Sequence, residues 1–121
     1  MVEVICDTNF LIHLANRRIQ NLDSIETEIG FLTFLVPDVV ISELLQLKNN
    51  PSKKMEVEQT LKYIKKFKII NIAGTFADKQ IIEYVKLKKS FVATMDKELK
   101  KNIKKSGSSI ISFWNDKLIL E

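Results

Sequence analysis

Short apolar segments alternate with helical patterns along nearly the whole chain, and this alternation limits the folds that the sequence can adopt. Apolar runs that predict buried strands lie at residues 2–6, 31–36, 67–72, 90–94 and 109–113. Helical patterns lie at residues 10–15, 22–29, 38–48, 55–66, 74–88 and 97–105. Because strands that alternate with helices form mainly parallel sheets covered on both faces, we expect an α/β protein with a mainly parallel five-stranded sheet. Residues 118–120 are a candidate for a short additional edge strand.

Length and composition fit one ordinary globular domain. The chain has 121 residues, of which 45% are apolar and 28% are charged, so we expect a single domain at residues 1–121. No apolar run is long enough to span a bilayer, and the first residues lack the basic segment of a signal peptide. Cys6 is the only cysteine and is predicted to be a buried strand residue, which fits a reducing compartment. A cytoplasmic protein without a membrane partner is expected.

The net charge of +4 is unevenly distributed along the chain. No Lys or Arg falls between Ile19 and Leu47, whereas residues 86–105 contain eight lysines against two acidic residues. A basic surface beside an acidic site suits a polyanion that must be guided to a metal ion. The alternative is a solvated, lysine-rich surface without a binding role.

Four carboxylates stand where a predicted strand passes into a helix, or on the apolar stripe of a helix: Asp7, Glu43, Asp78 and Asp96. Ligands of α/β sheets bind beyond the carboxyl ends of the strands, which is where Asp7 and Asp96 fall. Carboxylates packed closely together repel one another, and a divalent cation relieves that repulsion. The pattern therefore favours a metal-dependent hydrolase.

Each carboxylate also has a structural explanation that does not involve function. Glu43 has Val39, Val40 and Leu47 at neighbouring helical positions, so it faces inward unless it lies at the margin of the apolar stripe. Asp78 is a first-turn acid that the helix dipole favours, and Asp96 can cap the helix that follows it. A shared acidic pocket accounts for all the positions at once.

Four segments, in this order along the chain, resemble the motifs of PIN domains. They are residues 7–12 (DTNFLI), 36–44 (VPDVVISEL), 77–78 (AD) and 92–100 (VATMDKELK). The resemblance covers essentially the whole chain. In particular, the chain resembles the small archaeal PIN proteins that are similar to the toxin nucleases of VapBC systems and to the rRNA-processing PIN nucleases. It implies a three-layer α/β/α sandwich and a ribonuclease that depends on Mg²⁺ or Mn²⁺.

The same resemblance implies roles for individual residues. The acidic positions of the family fall on the four carboxylates named above, and polar helper positions fall on Thr8, Asn9 and Thr94. Where many relatives have a second acid after Asp78, this chain has Lys79. Glu98 stands at a further position where an acid often contributes to the metal site, although it also fits a solvated helix face. The resemblance therefore leaves open whether the site binds one metal ion or two.

Basic residues on two predicted helices are candidate RNA contacts: Arg17, Arg18, Lys97, Lys101 and Lys104. The alternative for the arginine pair is a charged helix end. The resemblance also implies frequent homodimers, for which the helices at residues 55–66 and 81–87 are candidate interfaces. RNA is the expected substrate, and an antitoxin protein is a candidate partner.

Two readings of function differ in class. The first is an endoribonuclease, either the toxin of a toxin–antitoxin pair or an RNA-processing enzyme. The second is a non-catalytic PIN-like module that binds RNA or acts as a scaffold, with Lys79 as a sign of lost activity. A phosphoacceptor domain of receiver type is disfavoured, because it needs paired acids after the first strand and Asp7 is preceded by Cys6 and followed by Thr8.

Overall fold

The computed structural model describes residues 2–17 and 19–121, in which six strands form one sheet. The strands are β1 (Val2–Cys6), β2 (Leu32–Pro37), β3 (Lys68–Ile70), β4 (Phe91–Ala93), β5 (Ser109–Trp114) and β6 (Lys117–Leu120). The helices are α1 (Thr8–Asn16), α2 (Leu22–Ile29), α3 (Asp38–Leu47), α4 (Lys54–Tyr63), α5 (Ala77–Leu87) and α6 (Lys97–Lys105), with a 3-10 turn at Ile64–Lys66. The α/β class predicted from the alternation of strands and helices is confirmed.

The strand order β3-β2-β1-β4-β5-β6 places β1 between two parallel partners, β2 and β4. After β1 the chain forms β2 and β3 on one side, and α5 then leads back to β4 on the other side. The order of the strands therefore reverses between β1 and β4, and ligands of such sheets bind in the crevice at this point. Cys6 pairs with Ala93 at the carboxyl end of the two strands, so the residues after them border that crevice.

The sheet has six strands, and the predicted count of five is therefore wrong by one. The additional strand, β6, runs antiparallel to β5 and contains the candidate edge segment at residues 118–120. A two-residue turn joins the strands, with φ of 49° at Asn115 and 61° at Asp116. Asn and Asp adopt this left-handed region more readily than other residues with side chains, which allows the tight hairpin.

Both faces of the sheet are covered, as the central strand shows. Successive strand residues point to opposite faces, and Val4, Ile5 and Cys6 are all buried. Burial, with a further contribution from the nearby Asp7 charge, raises the pKa of the Cys6 thiol well above its ordinary value. Cys6 is thus an unreactive core residue, as its position in an apolar run predicted.

Helix α3 connects the helices that surround the carboxyl end of the sheet, since it packs against α1, α4 and α5. Its apolar stripe places Val39, Val40 and Leu44 in the core. The opposite margin of that stripe carries Glu43, which is only partly buried. None of the helices that the structure describes is long and apolar enough to cross a membrane.

Candidate active site

A cavity of about 280 Å³ opens at the carboxyl end of the sheet, at the point where the strand order reverses. All four predicted carboxylates line it, together with two predicted polar helpers and one apolar residue: Asp7, Thr8, Asn9, Glu43, Leu47, Asp78 and Asp96. The carboxylates come from four separate parts of the chain. The fold therefore brings together the acids that the sequence placed at strand ends and on a helix stripe.

Asp7 is the deepest of the four carboxylates. It directly follows β1, and its backbone N–H donates a hydrogen bond of 2.9 Å to the Ala93 carbonyl at the end of β4. Its side chain is only 7% exposed, and the Thr94 hydroxyl donates to its Oδ2 atom at 3.1 Å. The bond between Asp7 and Ala93 fixes the carboxyl group beside the neighbouring strand.

The surroundings of Asp7 disfavour its charged form. Burial raises its pKa from 3.8 to about 6, and the negative charges of Glu43 and Asp96 act in the same direction. Hydrogen bonds from the Thr8 backbone and the Thr94 hydroxyl partly oppose this rise in pKa. At neutral pH the protein therefore holds a buried carboxylate at a cost in free energy.

Glu43 is held by two hydrogen bonds from two other helices. The Thr8 hydroxyl on α1 donates to Oε1 at 2.8 Å, and the Ala77 backbone N–H donates to Oε2 at 2.7 Å. Ala77 is the first residue of α5, whose own N-cap residue, Phe76, makes no side-chain cap hydrogen bond. Glu43 thus satisfies one of the free N–H groups at the start of α5, where a negative charge is favourable.

Asp78 and Asp96 lie at the exposed rim of the cavity. Asp96 caps α6, because its Oδ1 atom accepts hydrogen bonds from the backbone N–H groups of Glu98 at 2.8 Å and Leu99 at 3.2 Å. Asp78 lies in the first turn of α5, where its Oδ1 atom accepts from the Lys79 N–H at 2.8 Å. Both residues therefore have the structural role considered from the sequence, and both also line the acidic cavity.

Thr94 joins two of the carboxylate positions. Its hydroxyl oxygen accepts a hydrogen bond of 3.1 Å from the Asp96 N–H and donates to the Asp7 carboxylate. Thr94 is fully buried, so this link is shielded from water. Thr8 is also buried, whereas Asn9 is exposed at the mouth of the cavity.

Glu98, predicted as a further metal ligand, does not line the acidic cavity. Its side chain is exposed in the first turn of α6, two positions after Asp96. The role of Glu98 in metal binding therefore stays a prediction. Lys79, beside Asp78, is also exposed and lies outside the cavity lining.

The carboxylates share a cavity but do not converge on one point. Among the residues that the structure describes, no three Asp, Glu, His or Cys side chains are placed to hold a metal ion together. Glu43 accepts hydrogen bonds at both carboxylate oxygens, and Asp96 accepts two at Oδ1. The predicted tight cluster around a single ion is thus not formed in this conformation.

The donor set nevertheless suits a hard divalent cation. All four side chains offer carboxylate oxygens, the ligands that Mg²⁺ and Mn²⁺ prefer. Within residues 2–17 and 19–121, none of the four forms an ion pair with a basic side chain. Several negative charges therefore surround one cavity without a positive partner, and a cation bound there would lower their mutual repulsion.

The predicted RNA-contact residues lie on two helices that border the acidic cavity. Lys97, Lys101 and Lys104 are exposed on α6, which starts at Asp96, and Arg17 is exposed at the end of α1. Arg18 lies outside the described residues. The helix rise of 1.5 Å per residue puts Lys104 roughly 10 Å further along α6 than Lys97, and so further from the cavity.

A second cavity beside the first was not predicted. It has a volume of about 460 Å³ and is lined by Asn9, Ile12, His13, Asn16, Arg17, Glu56, Met95 and Asp96. The signal in the sequence is a stripe of polar residues on α1, since residues 9, 13, 16 and 17 recur at helical spacing. The contribution of Glu56 from α4 has no such signal, because it depends on how α4 packs against α1.

These features define an α/β protein with an acidic cavity at the strand-order reversal of a mainly parallel sheet. The chain belongs to the PIN-like domain family, whose family model matches residues 4–115. The resemblance based on four short motifs is therefore confirmed.

Similar proteins support the same assignment. The chain is 31% identical over 117 residues to Ribonuclease VapC4 of Methanocaldococcus jannaschii, an alignment that covers 92% of this chain and 89% of that protein. It is similar in structure to the PIN domain endonuclease Utp24, with a TM-score of 0.81, 30% sequence identity, and coverage of 98% of this chain and 90% of that one. A domain of another M. jannaschii protein shares the fold, with a TM-score of 0.60 at 18% identity, 94% coverage of this chain and 92% of that domain.

The raised pKa of Asp7 predicts how stability depends on pH. Because the folded state holds a proton on Asp7 up to about pH 6, the free energy of unfolding falls as the pH rises from about 4 to about 6 and is then level. In metal-free buffer, Asp7→Asn should remove this loss and stabilise the protein by up to about 3 kcal/mol at pH 8. The gain should vanish below about pH 4.

Denaturant unfolding at several pH values checks this expectation, with a chelator present. Glu83→Gln, which removes an exposed carboxylate on α5, is the control for the loss of one negative charge. A stability difference between Asp7→Asn and the wild type that is the same at pH 4 and pH 8 would contradict the raised pKa of Asp7.

Proposed function

We propose that this protein is a divalent-metal-dependent endoribonuclease that hydrolyses phosphodiester bonds of RNA. The observation that carries the proposal is the acidic cavity, in which buried Asp7 lies beside Glu43, Asp78 and Asp96 without a basic partner among the described residues. Two similar proteins named as a ribonuclease and an endonuclease support it. The four carboxylates are the proposed catalytic and metal-binding residues, with Mg²⁺ or Mn²⁺ as cofactor.

In this proposal each carboxylate acts through its own environment. A bound divalent cation would supply positive charge to the phosphate and make an attacking water more acidic. Asp7, with a pKa near 6 in the absence of the cation, gives up its proton readily at neutral pH and is fixed by Thr94. Asp78 and Asp96, exposed at the rim, are accessible to an incoming substrate. Glu43 contributes a further carboxylate to the site, and its hydrogen bonds with Thr8 and Ala77 hold α1 and α5 in place.

RNA would approach over the basic surface of α6. Asp96 is at the start of this helix and lines the acidic cavity, and exposed Lys97 and Lys101 follow it closely. Lysines near an acidic site attract the phosphate backbone and reduce its repulsion by the carboxylates. Arg17 offers a second basic contact at the C-terminal end of α1, the helix whose first residues line the acidic cavity.

The two similar proteins support different biological roles for a ribonuclease. The similarity to Ribonuclease VapC4 supports the toxin of a toxin–antitoxin pair in the cytoplasm, with an antitoxin protein as partner. The similarity to Utp24 supports an RNA-processing enzyme. We also propose one domain that forms a homodimer through α4 and α5, because Met55 and Leu87 on these helices are 75% and 92% exposed.

A second candidate function has two observations in its favour. Among the described residues no three side chains are placed to hold a metal ion together, and Glu43 and Asp96 both have structural roles. Both observations fit a non-catalytic RNA-binding module or scaffold. Such a module would keep the basic surface of α6 but would not need the charge of Asp7.

Removing the charge of a cavity carboxylate should abolish cleavage. We expect Asp7→Asn and Asp96→Asn to lower kcat/KM on single-stranded RNA by about a hundredfold or more, about 2.7 kcal/mol, because a metal ligand acts in the transition state. Glu98→Gln should lose as much only if Glu98 also binds metal. Glu83→Gln, outside the cavity, should cleave like the wild type.

Cleavage with Mn²⁺, compared with cleavage in the presence of a chelator, is the measurement. Wild-type protein that binds diverse RNAs but cleaves none of them with Mn²⁺ would contradict the enzyme and favour the scaffold. Denaturant unfolding distinguishes lost catalysis from lost folding, because we expect Asp7→Asn to unfold no more readily than the wild type.

The basic surface should contribute to RNA affinity in a salt-dependent way. Each phosphate contact with single-stranded RNA adds roughly 0.7 to the slope of log affinity against log salt concentration. Lys101→Ala should therefore weaken binding and reduce this slope, and Lys104→Ala should do so less because it lies further from the cavity.

Binding titrations of the variants at several salt concentrations make this comparison. Lys89→Ala is the matched control, because Lys89 is exposed just before β4, at the opposite edge of the sheet from the acidic cavity. Equal slopes for Lys101→Ala and Lys89→Ala would exclude α6 as the RNA-binding surface.

A further inference from the structure

The second cavity continues from the acidic cavity along α1. The two cavities share Asn9 and Asp96, and the second extends as far as Arg17, roughly 12 Å from Asn9 along the helix axis. Its volume of about 460 Å³ lies within the range of roughly 300–1,000 Å³ that is typical of sites for small organic groups. A nucleic acid whose phosphate lies among the carboxylates therefore has room for a neighbouring nucleotide in this cavity.

The charges of the wall favour a neutral occupant over a phosphate. Glu56 and Asp96 both line the cavity, and their negative charges disfavour a phosphate there. Ile12 and Met95 contribute apolar surface to the wall. Met95 is 37% exposed, so it is accessible to a ligand. A flat, uncharged ring that packs on apolar side chains fits this wall better than a charged group.

Two neighbouring side chains of the wall, Asn16 and Glu56, offer hydrogen-bond acceptors. The Nδ2 atom of Asn16 donates to the Ile12 carbonyl at 2.8 Å and also lies near the Thr60 hydroxyl and Glu56 carbonyl oxygens, at 3.3 and 3.4 Å. Oδ1 is therefore the polar atom of this side chain that is available to a ligand. The Glu56 carboxylate can only accept hydrogen bonds when ionised. Two neighbouring acceptors match the two hydrogens of an exocyclic amino group, which cytosine has and uracil lacks. The ring N–H of uracil offers a single hydrogen between two carbonyl oxygens, which the same acceptors would repel.

On the basis of the proposed ribonuclease activity, we propose that the second cavity binds the base of the nucleotide next to the scissile phosphate and selects bases with an exocyclic amino group. Glu56 and the Oδ1 atom of Asn16 accept from that amino group, while Ile12 and Met95 pack against the ring. Arg17, exposed at the far end of the cavity, contacts the phosphate beyond this nucleotide. The pocket thus determines which bond in an RNA is cut.

The experiment uses the full chain with Mn²⁺ and short single-stranded RNAs that differ only at the nucleotides flanking the cleaved bond. Cytosine is compared with uracil, and guanine with hypoxanthine, because each pair differs by one amino group. We expect wild-type kcat/KM to favour the amino-bearing base by about tenfold on one side of the bond. Glu56→Gln should reduce this ratio to about one, since the amide can also donate to a uracil carbonyl.

The matched control is Glu58→Gln, two positions further along α4 and outside the cavity lining, which should keep the wild-type ratio. A ratio near one in the wild type, or a ratio that Glu56→Gln leaves unchanged while RNA is still cleaved, would overturn the base pocket and leave the ribonuclease proposal standing. No cleavage of any RNA by the wild type would overturn both.

Discussion

The burial of one carboxyl group at the end of the central strand is the constraint on which the site depends. Asp7 lies between β1 and β4, bonded through its backbone to Ala93 and through its side chain to Thr94. Two further acids, Glu43 and Asp96, raise its pKa in addition to burial. A fold that only needed stability would place an apolar or amide side chain here, because an unpaired buried charge is costly. The divalent cation that we propose binds here would offset this cost, because it favours the charged form of the carboxyl group.

The residues around Asp7 hold the architecture together and also shape the cavity. Glu43 joins α1, α3 and α5 through hydrogen bonds with Thr8 and Ala77, and bonds that involve a charged group are among the stronger ones in proteins. Asp96 starts α6, the helix that carries the basic surface. Replacing either acid therefore has two effects, one on the packing of helices and one on the charge of the cavity. Asp7, which makes no side-chain cap bond to α1, separates the two effects best.

The sequence predicted most of the fold and the cavity because both follow from local patterns. Residues that end parallel strands must meet at one edge of the sheet, so Asp7 and Asp96 could be placed from the strand pattern alone. The sixth strand was only a candidate, since its position depends on a two-residue turn at Asn115 and Asp116 that carries no glycine. Glu98 matched the family pattern by spacing, but it is exposed in the first turn of α6 and does not line the acidic cavity.

The second cavity shows a different limit of sequence reasoning. Its polar stripe on α1 can be read from helical spacing, but Glu56 and Met95 reach it only through the packing of α4 and of the segment before α6. Contacts between residues that are distant in sequence leave no local periodicity.

The titration of the Asp7 carboxyl carbon by NMR, with and without Mg²⁺, tests the central claim most directly. Without the ion, the account predicts a pKa of about 6 for Asp7. With saturating Mg²⁺, the same group should stay ionised to well below that value, because the cation favours the charged form. A pKa for Asp7 near its ordinary 3.8 without metal, or one that Mg²⁺ leaves unchanged, would contradict the account.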